Sequence, residues 1–117
     1  MKVTTSYQLK PVLKKIQSLM DDIPQLHKES KTCGLFCYYR YYGKRKKLLF
    51  YLNPRKTEIV FAISHRGTDI LETFPMLAGL ADEVKTSVLK IKIEKIEDIE
   101  TKAIKYIIEM ILKHLEI

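Results

Sequence analysis

Residues 32–64 read TCGLFCYYRYYGKRKKLLFYLNPRKTEIVFAIS. Aromatic, β-branched and aliphatic side chains crowd three runs, Thr32 to Tyr42, Lys47 to Asn53 and Glu58 to Ser64. Between them lie Gly43-Lys44-Arg45-Lys46 and Asn53-Pro54-Arg55-Lys56, tracts whose glycine, proline and charge favour a turn over continued extension. Strands joined by such short turns fold back on one another, so the stretch predicts a three-stranded antiparallel meander.

Upstream, Leu9, Val12, Leu13, Ile16, Leu19 and Met20 recur at the spacing of one helical stripe, predicting a helix over 7–22. Ser6 can cap its start, Pro11 suits the first turn, where a missing N–H does no harm, and Pro24 ends it. Lys10, Lys14, Lys15, Gln17 and Ser18 make its solvated face basic. Downstream, TDILETFPMLAGLADE (68–83) is interrupted by Pro75 and Gly79 and reads as a short helical or irregular segment that Asp69 can cap. Thr86 to Ile93 alternates Leu89, Ile91 and Ile93 with Lys90 and Lys92, the period of a half-buried strand. From Asp98, read as an N-cap, the stripe Ile104, Ile107, Ile108, Ile111, Leu112 and Leu115 predicts a helix to the C-terminus. Glu100 near its start, and Lys113 with His114 near its end, match the helix dipole.

Two amphipathic helices bracketing an antiparallel sheet predict an α+β fold. The expected form is a two-layer sandwich, a sheet of four to six strands with the N- and C-terminal helices on one face. No repeat, linker or low-complexity tract divides the chain, so residues 1–117 are read as a single domain.

The 117 residues carry 21 Lys and Arg against 14 Asp and Glu, a net charge of +7, and 46% of them are hydrophobic. That share supports a core and excludes the composition of a disordered chain. No run approaches the roughly 20 apolar residues of a membrane span, and MKVTTSYQLKP lacks an apolar signal-peptide region. The cytoplasm is the expected location, without membrane contact. Cys33 and Cys37, in one predicted strand, are too separated for a disulfide and are expected to stay reduced. His27, His65 and His114 are too scattered to hold zinc. No metal and no cofactor are expected.

All three meander strands are apolar or aromatic on both sides. Leu35, Cys37, Tyr39 and Tyr41 alternate with Phe36, Tyr38, Arg40 and Tyr42; Leu48, Phe50 and Leu52 with Leu49, Tyr51 and Asn53; Ile59, Phe61 and Ile63 with Val60, Ala62 and Ser64. If helices cover one row, something else must cover the other. The short turn predicts a register with Tyr38 opposite Tyr51 and Arg40 near Leu49, gathering Tyr38, Arg40, Tyr42 and Tyr51 on one surface. Phenols and a guanidinium over an apolar floor suit a small-molecule cleft or a homodimer surface, and a binding module is the first functional reading. The plainer alternative packs these tyrosines beneath residues 68–83, hydroxyls reaching water.

Lys44, Arg45, Lys46 and Lys47 form a basic hairpin tip, with Arg55, Lys56 and Arg66 in loops read as neighbours. Basic charge beside tyrosines is the footprint of a module that tracks the phosphates of nucleic acid or another polyanion, the alternative reading. Charged tips are also ordinary solvated turns that discourage edge-to-edge pairing. Ser64, His65 and Asp69 resemble a hydrolytic set on paper, with Glu72 nearby, but successive strand residues face opposite ways, so no enzyme is expected.

DDIPQLHKES (21–30), GLFCYYRYYGKRKKLLFYLNPRKTEIVFAISHRGTDIL (34–71) and IKIEKIEDIE (91–100) together resemble the YdhG-like domains of unknown function. The likeness covers residues 8–117 and is most specific in the YYGKRKKLLFYLN hairpin; Lys31-Thr32-Cys33-Gly34-Leu35 stands where that family usually has a KWG(I/M)P-like entry. It implies a small bacterial protein with a frataxin-like or related α+β fold and no established activity, an iron-chaperone role having been suggested for some relatives. Iron delivery favours carboxylate ligands. The first helix here is lysine-rich, with only Asp21 and Asp22 at its end, so that role is disfavoured. Glu94, Glu97, Asp98 and Glu100 form a second acidic group that capping and the helix dipole explain.

Overall fold

A computed structural model describes residues 9–24, 26–33, 36–43, 47–64 and 67–114. The first stripe forms α1 (Lys10–Asp21), with Pro11 in its first turn and Val12, Ile16 and Met20 buried. An antiparallel sheet contains β1 (His27–Cys33), β2 (Phe36–Tyr42), β3 (Leu48–Pro54), β4 (Ile59–Ile63), β5 (Glu83–Lys85) and β6 (Val88–Ile93). Their spatial order is β1-β2-β3-β4-β6-β5. Between β4 and β5 lie α2 (Gly67–Thr73) and a 3₁₀ turn (Pro75–Gly79); α3 (Glu97–Thr101) and α4 (Ile104–His114) follow β6. The class is α+β, as the hydrophobic periods require.

One apolar cluster joins the buried stripes of α1 and α4, Ile70 and Leu77 from the segment between β4 and β5, and one row of the sheet. That row is Tyr41, Phe50, Leu52, Ile59, Phe61, Ile63, Leu89, Ile91 and Ile93, alternate residues of four adjacent strands. The phenyl rings of Phe50 and Phe61 stack across neighbouring strands, centroids 5.7 Å apart.

The expected first strand, Thr32 to Tyr42, is instead two. β1 ends at Cys33, β2 begins at Phe36, and they pair from His27 opposite Tyr42 to Cys33 opposite Phe36. Cys33 and Cys37 therefore do not share a strand; Cys37 lies opposite Thr32. The expected strand over 86–93 starts at Val88 and acquires a short edge partner, β5. Beside it, the Asp82 carboxylate accepts the Lys92 N–H at 2.6 Å and the Asp82 N–H donates to the Lys90 carbonyl at 2.9 Å.

The last helix is also two. Lys102 and Ala103 donate their N–H groups to the Asp98 and Glu100 carbonyls at 2.9 and 3.0 Å, closing α3, and Ala103 then adopts a left-handed φ of 51°. That conformation costs a residue with a Cβ about 1–2 kcal/mol, which the packing of α4 into the core must offset. Asp98 is not an N-cap but lies inside the first turn of α3. Leu9 occupies the N-cap position of α1 without a side-chain bond; the expected cap Ser6 and the stripe residue Leu115 lie outside the described residues.

Candidate binding face

Residues that alternate with the core row form the other face of the sheet. Its central row crosses all six strands: Glu29 is opposite Arg40, Arg40 opposite Tyr51, Tyr51 opposite Ala62, Ala62 opposite Lys90, and Lys90 opposite Glu83. Beside it Asn53 faces Val60 and Val60 faces Lys92. Arg40, Tyr42 and Tyr51 are half-buried. Val60 and Ala62 are buried yet stand outside the apolar cluster. Both are short residues between longer ones, and the stems of Tyr51, Lys90 and Lys92 can shade them.

The charges on this face are largely matched within it. Lys90 Nζ lies 3.1 Å from Glu83 and Lys85 Nζ 3.5 Å from the same carboxylate. The hydrogen bond from Lys90, and then the positive charges of Lys85 and Lys90, hold the Glu83 carboxyl below its usual range against the opposing effect of desolvation. Lys92 Nζ is 3.9 Å from Glu58, whose Oε2 is buried without a hydrogen-bond partner.

Known protein families, characterised proteins and solved structures offer no match to this chain. The chemistry of the face has to be read from its own residues.

Arg40, Tyr42 and Tyr51 stand at alternate positions on this face, and the backbone of Tyr38 pairs with Lys31 in the same alternation; the Tyr38 side chain lies outside the described residues. The register differs from the expected one by two residues, with Arg40 rather than Tyr38 opposite Tyr51. A bulge between Tyr41 and Tyr42 pairs Tyr42 with Leu48 and leaves Leu49 as the extra residue. Because the shift is even, no side chain changes face. The segment over 68–83 sends Ile70 and Leu77 into the core cluster, so its buried anchors are not spent on the tyrosines of the other face. The Lys90–Glu83 and Lys92–Glu58 pairs were not legible as part of the site. The Lys90/Lys92 alternation was the available signal, but only the β4-β6 adjacency brings those lysines beside Tyr51 and Ala62.

Of the basic tip, Lys47 is exposed at the start of β3, while Lys44, Arg45 and Lys46 lie outside the described residues. Arg55 and Lys56 are not its neighbours. They follow Pro54 at the far end of a seven-residue strand, about 23 Å away at strand rise. His65, Arg66 and the Asp69 side chain are outside the described residues, and Ser64 is half-buried with its N–H donated to the Leu49 carbonyl at 2.8 Å. Among the described residues, no group of three or more His, Cys, Asp or Glu comes together to hold a metal, and no helix is long and apolar enough to cross a membrane.

Tyr41 points the other way, into the core, 1% exposed, with a buried hydroxyl that has no hydrogen-bond partner. Burial, and secondly the Asp21 carboxylate, push its phenol well above the ordinary value of 10.0. Ionisation is thus opposed in the folded chain. The stability this provides is intact below the unfolded value near 10 and is lost as the pH climbs from there towards the raised folded value. Tyr41→Phe removes an unsatisfied polar atom and is expected to match or exceed wild-type stability by about 1 kcal/mol at neutral pH. It should also flatten the alkaline fall, as measured by urea melts between neutrality and pH 11.

Proposed function

We propose that the protein is a non-enzymatic, cytoplasmic binding module that docks through the sheet face bearing Arg40, Tyr42 and Tyr51, with a second copy of the chain as the partner. The observation that carries this reading is the Glu29-Arg40-Tyr51-Ala62-Lys90-Glu83 row, an aromatic and apolar centre flanked by charge. Protein interfaces share that anatomy, an apolar core inside a polar rim. Tyr and Arg are the residues most often found at their energetic centre.

The row also suits two-fold symmetry. With an axis along β3 through Tyr51, Tyr51 meets its own copy and Glu29 of one copy falls over Lys90 of the other. The polyanion reading is less well supported, because Lys85, Lys90 and Lys92 have carboxylate neighbours and Arg55 and Lys56 are remote from Lys47.

Sedimentation equilibrium tests the proposal. The wild type should shift from monomer to dimer with concentration, and Tyr51→Ala should weaken the dimer at least about tenfold, 1.4 kcal/mol or more. Glu29→Lys should weaken it, and Glu29→Lys combined with Lys90→Glu should recover part of the loss. A wild type that stays monomeric, or dimers indifferent to Tyr51→Ala, would remove the reading. Single-stranded oligonucleotide binding that persists at physiological salt would favour the polyanion alternative instead.

A further inference from the structure

A cavity of about 280 Å³ lies away from the sheet, between the C-terminal end of α1 and the first half of α4. Its lining is Leu19, Asp22, Ile23, Lys105, Ile108 and Glu109. Ile108 is buried, and Leu19 and Ile23 are half-buried, so the floor is apolar. Asp22, Lys105 and Glu109 are exposed at the rim.

The rim charges are not engaged elsewhere. Among the described residues none of the three makes an ion pair or a side-chain hydrogen bond, whereas the adjacent Asp21 is tied to Lys28 at 3.3 Å. Lys105 precedes Glu109 by one helical turn, the weaker order for an i, i+4 pair. Asp22 is the C-cap of α1, a helix with no basic residue in its last turn. Its carboxylate therefore sits at the negative end of the helix dipole, and no ion pair with it is made among the described residues. Two carboxylates and an ammonium, none in an ion pair among the described residues, thus rim an apolar floor.

We propose that this cavity binds a small zwitterion with an apolar side chain, in chemical class an aliphatic α-amino acid. Its ammonium meets Asp22 and Glu109, its carboxylate meets Lys105, and its side chain lies on Leu19, Ile23 and Ile108. The volume is just below the range of about 300–1,000 Å³ typical of drug-sized pockets, which limits the ligand to a compact one. This site is independent of the docking face.

A heteronuclear NMR titration of the intact protein tests it with three probes: L-leucine, 4-methylpentanoate, which lacks the amine, and 3-methylbutylamine, which lacks the carboxylate. L-Leucine should give saturable shifts confined to the amides around Leu19–Ile23 and Lys105–Glu109. Each analogue, losing one charge-assisted contact, should bind about tenfold more weakly. Lys105→Gln should bring L-leucine down to the affinity of the amine, and Asp22→Asn with Glu109→Gln should bring it down to that of the acid. All three positions are exposed, so the variants are expected to fold. The absence of saturable shifts up to the solubility of L-leucine, shifts centred elsewhere, or an analogue binding as tightly as the amino acid would each overturn the proposal.

Discussion

Phe61→Ala lowers the unfolding free energy by about 3–5 kcal/mol, because it deletes the largest apolar side chain of the central strand and leaves a cavity behind. Phe61 is completely buried in β4, stacked on Phe50 with their planes 19° apart, and its ladder partners are Leu52 and Ile91, both also fully buried. Close-packed neighbours relax only partly into such a gap. A domain of this size has a total stability of about 5–15 kcal/mol, so the variant should be partly unfolded at physiological temperature. Urea denaturation supplies the number. Tyr51→Ala, on the opposite face and half in water, serves as the contrast and should cost markedly less in the monomer. If the two substitutions cost the same, the division of the sheet into a core row and a docking row is wrong.

The same division explains how much of the fold was legible. The stripes of α1 and α4 and the alternation of Leu89, Ile91 and Ile93 could be read because each buries one side against a common core and leaves the other wet. The polar strand His27–Cys33 could not. It lies at the edge of the sheet, where the exposed Lys28 and Glu29 discourage pairing with other chains, and the residues that protect an edge remove the apolar alternation that reveals a strand. β5, Glu83-Val84-Lys85, is too short for a period and exists only because β6 is beside it. The break between α3 and α4 has no glycine to announce it, since Ala103 takes the left-handed conformation itself.

For the candidate site, alternation sorted Arg40, Tyr42 and Tyr51 from Tyr39 and Tyr41, a distinction that follows from parity alone. What no local pattern could supply was distance along the ladder. The bulge at Leu49 supplied one residue of the two-residue shift and the pairing on its turn side, Tyr42 with Leu48, the other, and the length of β3 put Arg55 and Lys56 at the far end of the strand from Lys47. Charge counted along a chain is not charge gathered in space.

Asp98→Ala is the second substitution expected to cost heavily, about 2–4 kcal/mol, and the reason is bonding rather than packing. Asp98 is the one polar residue among the buried ones described, and its Oδ2 accepts the N–H groups of Glu94 and Lys95 at 2.9 and 3.2 Å. Its own N–H donates to the Lys95 carbonyl at 3.0 Å. One carboxylate thus ties down the turn by which the chain leaves β6 and enters α3, and alanine would leave two part-buried N–H groups without an acceptor. Hydrogen bonds to a charged group contribute about 1.5–3 kcal/mol each, while relaxation and water entry recover some of that loss. Asp98→Asn keeps a carbonyl oxygen in place but replaces charge-assisted bonds with neutral ones of roughly half the strength. It should therefore fall between wild type and alanine. Hydrogen exchange at Glu94 and Lys95 separates this account from a general loss of stability: alanine should expose both amides beyond the global change, and asparagine should keep them protected. Glu94→Gln, Glu97→Gln and Glu100→Gln, at exposed positions, should each stay within about 0.5 kcal/mol of wild type. If they cost as much as Asp98→Ala, the acidic group acts as a unit and the turn is not what Asp98 is there to hold.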